Sequence, residues 1–69
     1  MIWNYRVLKK ADGSYGFIEV YYNEDGIITS YSEDFMHPYG ESERDLEDDL
    51  EKMASALNKP TLLEIDLPN

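Results

Sequence analysis

The sequence predicts an α+β fold: a two-layer β-β-β-α-β arrangement built as one small domain over residues 1–69. Three observations carry that expectation. Two turn-forming segments, Ala11-Asp12-Gly13-Ser14 and Asn23-Glu24-Asp25-Gly26, separate three runs rich in aromatic and β-branched residues. One segment then places Leu46, Leu50, Met53, Ala54 and Leu57 at helical spacing. A last apolar run, Leu62, Leu63, Ile65 and Leu67, follows the helix terminators Asn58 and Pro60.

The first strand is expected over residues 2–10, with Trp3, Tyr5 and Val7 on one side and Ile2, Arg6 and Leu8 on the other. Gly13 supplies the positive φ that the first turn needs. Residues 15–22 form the second strand, on which Ile18, Val20 and Tyr22 alternate with Phe17, Glu19 and Tyr21. The Asp25-Gly26 pair is a hairpin signal and leads into a third strand over residues 27–32. The three strands are therefore expected as an antiparallel meander.

Pro38 and Gly40 mark residues 33–41 as a loop crossing to the helix. Ser42 fits the N-cap, with Asp45 three positions on, and Glu43 and Asp45 favour the positive end of the helix dipole. A helix with one apolar stripe needs a surface to cover, so it is expected to pack on one face of the sheet. Residues 61–67 read as a short C-terminal fourth strand. If that strand pairs with the first, the helix becomes a crossover connection.

Composition narrows the functional classes. The chain has no cysteine, so disulfides and thiolate metal sites are excluded, and a reducing cytoplasm is the expected compartment. It holds no apolar run of the roughly 18 residues that a membrane span requires. The N-terminus lacks the layout of a signal peptide. The net charge is −9, with residues 1–18 at +2 and residues 19–69 at −11. Phosphate neutralisation by Lys and Arg dominates nucleic-acid affinity, so direct nucleic-acid binding is not expected and a basic protein is the favoured partner.

Nothing points to catalysis. His37 is the sole histidine and lies beside Pro38 in the loop, and no nucleophile elbow or glycine-rich phosphate loop is present. Neither metal nor cofactor is expected. The helix acids sit at i+3 and i+4 spacing, but a hard cation takes roughly six or more oxygens from a folded cage. The protein is therefore expected to be non-enzymatic.

Two surfaces are candidates for protein binding. The run from Glu41 to Glu51 holds seven carboxylates in eleven residues. Asp45, Glu47, Asp48 and Glu51 make its outward acidic face, and Glu47, Asp48 and Glu51 exceed what capping and dipole effects require. The other candidate is the sheet face left open by the helix, carrying Tyr15, Tyr21 and Tyr31, because tyrosine concentrates binding energy at contacts. Pairing of two copies through such a face would make a homodimer. An acidic helix also suits a nucleic-acid mimic that occupies the basic groove of a nucleic-acid-binding protein.

Gly13-Ser14-Tyr15-Gly16-Phe17-Ile18-Glu19-Val20 and Tyr39-Gly40-Glu41-Ser42-Glu43-Arg44-Asp45-Leu46 together resemble the two patterns that bracket HicB-type antitoxins. In that family a Gly-x-Tyr strand precedes a Gly-acid-Ser/Thr helix start within a β-β-β-α-β partial RNase H fold. The family's Pro-Gly-Cys segment is missing, the two patterns stand further apart, and no counterpart of its DNA-binding extension follows the helix. The resemblance implies neutralisation of a toxin by protein contact.

Overall fold

The computed structural model describes residues 2–68. Strand β1 (Ile2–Lys9) runs antiparallel to β2 (Tyr15–Tyr22), in register from Ile2 opposite Tyr22 to Lys9 opposite Tyr15. The turn between them places Gly13 at φ 91°, and the Asp12 carboxylate accepts hydrogen bonds from the Ser14 N–H and hydroxyl. The next turn places Gly26 at φ 78° and leads to β3 (Ile28–Tyr31), which pairs antiparallel with β2 across a register shift at Tyr21 and Tyr22.

Helix α1 (Glu43–Ser55) begins at Ser42, whose extended backbone (φ −144°, ψ 167°) and hydroxyl accepting the Asp45 N–H at 3.1 Å complete the expected cap. A 3₁₀ turn over Ala56–Asn58 follows, then strand β4 (Leu62–Leu63) and a second 3₁₀ turn over Glu64–Asp66. The result is a mixed α+β fold with a four-stranded sheet and one helix.

The strand order is β3-β2-β1-β4. The sheet therefore departs from the simple meander the sequence suggested: β4 returns to the far edge and pairs parallel with β1, with α1 inside the crossover. The fourth strand is also much shorter than residues 61–67. It pairs only with Leu8 and Lys9, because the chain turns at Glu64 and leaves the sheet. Arg6 holds the approach to β4 by donating from Nη2 to the Pro60 carbonyl at 2.7 Å.

Both sheet faces carry apolar clusters. On one, Tyr5 and Val7 pack with Met53 and Ala56 of the helical layer, flanked by Phe17 and Met36. On the other, Leu8, Ile18, Val20 and Leu67 pack together with Tyr22, Ile28, Tyr31, Phe35 and Leu62 around them. The expectation of an uncovered tyrosine face is therefore corrected. Leu67, delivered by the second 3₁₀ turn, and Phe35, from the loop, close over the side that the helix does not reach. A Cβ at Gly16 would overlap the Phe35 ring, so this glycine is what lets the loop lie down. The Met36 N–H then donates to the Phe17 carbonyl at 2.7 Å and fixes the loop beside β2.

The expected leucine stripe is likewise corrected. The helix buries Met53, and the turn after it buries Ala56, while Leu46, Leu50, Ala54 and Leu57 are exposed. The reason is Asp49. Its Oδ1 accepts from the Tyr5 hydroxyl at 2.7 Å and its Oδ2 from the Tyr39 N–H at 2.9 Å. Asp49, Met53 and Ala56 recur at i, i+4 and i+7, so tying the carboxylate to the sheet turns that row inward and rolls the leucines to one flank. Among the described residues no helix is long and apolar enough to cross a membrane.

Candidate functional site

Asp45, Glu47, Asp48 and Glu51 are all exposed on α1. At about 100° per residue they span the outer surface and the flank opposite the leucines. Glu47 and Glu51 stand one turn apart on the outermost line, and Glu43 and Glu47 border the exposed Leu46 and Leu50. Leu46, Leu50 and Leu57 are 43%, 53% and 68% exposed, which is unusual for three leucines on one helical flank. The same helix thus presents an apolar strip with a carboxylate border.

The three candidate tyrosines do not form one surface. Tyr15 lies opposite Lys9 and Tyr21 opposite Trp3, which places both on the helix-covered side of the sheet. Tyr31 lies opposite Val20 on the other side and packs against the second cluster. Tyr15 is exposed with the Lys9 ammonium 5.6 Å from its ring centre, whereas Tyr21 donates to Glu19 Oε2 at 2.9 Å and is half-buried. That bond holds the Tyr21 hydroxyl above its ordinary acidity range.

Next to the acids the structure brings together residues the sequence reading did not join. A groove of about 330 Å³ runs between the start of β1 and the end of α1, lined by Trp3, Asn4, Tyr5, Lys52 and Ser55. A second hollow of about 410 Å³ shares Lys52 and Ser55 with it and is walled by Asp48 and Glu51. Trp3 is 41% exposed, meets Tyr5 edge-to-face at 5.2 Å, and has the Lys52 ammonium 5.9 Å from its ring centre. The alternation of β1 put Trp3 and Tyr5 on one side, but their meeting with Lys52 depends on how α1 crosses the sheet.

Asp49 belongs to the acidic run by sequence and to the core margin by structure. The Tyr39 N–H, followed by the Tyr5 hydroxyl, holds its carboxyl below the ordinary value of 3.8. Burial, followed by the bond to Asp49, pushes the Tyr5 hydroxyl well above its ordinary value of 10.0. The stabilisation from Asp49 is present above pH 3.8 and is lost as pH falls through its lower folded value. The stabilisation from Tyr5 is complete below pH 10.0 and is lost as pH rises through its higher folded value. Tyr5→Phe should flatten the alkaline loss of stability, read as a smaller drop in urea midpoint between about pH 8 and about pH 11 than in the parent protein.

His37 is exposed in the loop between β3 and α1. Among the described residues no three His, Asp or Glu side chains gather as a metal site would require. In comparisons with known proteins, no protein-family model, no curated protein and no solved structure matches this chain.

Proposed function

We propose that this protein is a non-enzymatic binding module that acts in the cytoplasm by holding a basic protein through α1. The observation that carries this reading is the exposure of Leu46 and Leu50 beside the carboxylates of Glu43 and Glu47, with Leu57 exposed on the turn that follows. An apolar strip gives a contact its affinity, and a charged border sets its partner and its encounter rate. The resemblance to HicB-type antitoxins fits such a role, with a cationic toxin as the partner and no metal or cofactor involved. The outward Asp45, Glu47, Asp48 and Glu51 also suit a nucleic-acid mimic, in which the partner's basic groove is its nucleic-acid site.

Capture from native lysate tests the reading. A basic partner should be retained at ~0.1 M salt and largely released at ~0.5 M, where screening is short-ranged. Combined Glu47→Gln, Asp48→Asn and Glu51→Gln substitution should weaken that capture at least about tenfold while the fold persists, since exposed charges add little to stability. A partner kept equally by parent and variant at both salt levels removes α1 from the contact. Competition by duplex DNA for the captured partner identifies mimicry.

A further inference from the structure

The edge of β1 offers a second element to the same partner. β4 pairs only with Leu8 and Lys9, so no strand of the described sheet lies beside Ile2 through Tyr5. The direction of the free backbone groups follows from β2. The Phe17 and Glu19 carbonyls accept from Met36 and Ser32 on the β3 side, so the odd-numbered residues of β2 turn their peptide groups away from β1. Their partners across the ladder, Val7 opposite Phe17 and Tyr5 opposite Glu19, are then non-hydrogen-bonded pairs, and Trp3 opposite Tyr21 continues that alternation. The N–H and C=O groups of Trp3 and Tyr5 therefore point away from β2, toward an edge that is open at Trp3, 41% exposed, and narrows under the helical layer at Tyr5, 6% exposed.

That edge is also one wall of the groove beneath α1. Asn4 turns its side chain to the opposite face, where its Oδ1 accepts from the Tyr22 hydroxyl at 2.9 Å, so backbone is what it presents to the groove. Edge strands are ordinarily blunted by charge, proline or a bulge. Here the first edge residues are Ile2, 64% exposed, and Trp3, 41% exposed. From these features we infer that the β1 edge takes an extended segment of a basic partner as an added strand, lying in the groove between β1 and α1.

This rests on the reading of α1 as a contact for a basic protein and names how that contact is completed. Backbone pairing with Trp3 and Tyr5 supplies affinity, and alternate side chains of the segment supply specificity. One apolar side chain meets the Trp3 indole. The next on that face, two residues along and about 7 Å away, is a Lys or Arg that reaches Asp48 and Glu51 on the adjoining wall, where two carboxylates outnumber the single ammonium of Lys52. A second copy of this chain fits less well. Antiparallel pairing of β1 with itself places both helices on one face, with Asp48 and Glu51 of each copy turned toward the other, between chains of charge −9.

The probe is a synthetic peptide alternating Val with Lys and Arg, added to the isotope-labelled full chain, with a twin carrying N-methyl groups on its edge-facing amides. The first peptide should slow hydrogen exchange at the Trp3 and Tyr5 amides and shift Asp48 and Glu51. The N-methyl twin, with the same charges and side chains, should bind about tenfold more weakly or worse. Trp3→Lys, which puts a charge on the edge and removes the indole, should reduce binding similarly, with a urea titration showing that the chain stays folded without the Trp3–Tyr5 contact. Shifts confined to α1 and indifferent to N-methylation overturn strand addition and leave the helix contact standing. Absence of any shift overturns strand addition, and the salt-dependent capture then decides the helix contact separately. A dimer in sedimentation with Trp3 and Tyr5 already protected overturns it in favour of a second copy.

Discussion

Ile18→Ala should leave the chain largely unfolded at room temperature. Ile18 is fully buried in β2 at the centre of the cluster with Leu8, Val20 and Leu67. Removing its three outer carbons costs the lost transfer free energy and leaves a cavity, together about 2–5 kcal/mol. A domain below about 70–80 residues rarely draws more than about 3–5 kcal/mol from its core, so the loss is comparable to the whole stability. The position also holds the C-terminal segment to the sheet. Leu67, arriving after the second 3₁₀ turn, has its seat against β1 and β2 in this cluster, so a cavity at Ile18 loosens the C-terminal segment with it. Circular dichroism and a urea titration read the result. An urea midpoint within a few tenths molar of the parent would mean that the second cluster is not a core.

Gly40→Ala should have the second largest effect, for a steric reason. A Cβ at this position would overlap the backbone nitrogen of Leu46 and the carbonyl carbon of Asp45, and main chain inside a helix cannot move aside. The loop must withdraw from the first turn of α1. That withdrawal pulls Tyr39 from Asp49 and disturbs the approach to the Ser42 cap. Overpacking costs about 1–3 kcal/mol, and a lost cap adds about 1 kcal/mol. Gly13→Ala is the control. It has open space around it, and its φ of 91° alone penalises the substitution, by about 1–2 kcal/mol. Gly40→Ala should lower the thermal midpoint clearly further than Gly13→Ala does. Equal midpoints would mean that the loop is not seated against the helix.

Much of the local structure was legible because its causes are local. Gly13 and Gly26 close turns by conformational freedom, Ser42 caps the helix three residues from its partner, and the alternation from Tyr15 to Tyr22 matches β2. The outward position of Asp45, Glu47, Asp48 and Glu51 was legible for the same reason. What stayed hidden depends on distant partners. The roll of α1 is set by Asp49 bonding to Tyr5, 44 residues away, and helical spacing offers no means of ranking Asp49 above Leu50 as the inward residue. The length of β4 depends on where the chain leaves the sheet. The run Leu62, Leu63, Ile65, Leu67 alternates like a strand, yet Ile65 is 89% exposed on a 3₁₀ turn and Leu67 is buried beyond it.

Two features set by distant partners create the candidate site. Rolling α1 exposes Leu46, Leu50 and Leu57, and the register of β4, with Leu62 opposite Leu8, leaves Trp3 with no strand on that edge of the described sheet. Tyr15, Tyr21 and Tyr31, which looked like a shared surface by composition, are divided between the two sides of the sheet by register. A contact surface assembled by helix roll and strand register cannot be found by residue type alone.

The claim that α1 is the contact for a basic protein is tested most directly by a binding isotherm with the captured partner. The parent chain is compared with the combined Glu47→Gln, Asp48→Asn and Glu51→Gln variant at ~0.1 M salt. Binding of the variant should be at least about tenfold weaker, with a shallower dependence on salt, while circular dichroism stays unchanged. Equal affinity and equal salt dependence in a folded variant would contradict it.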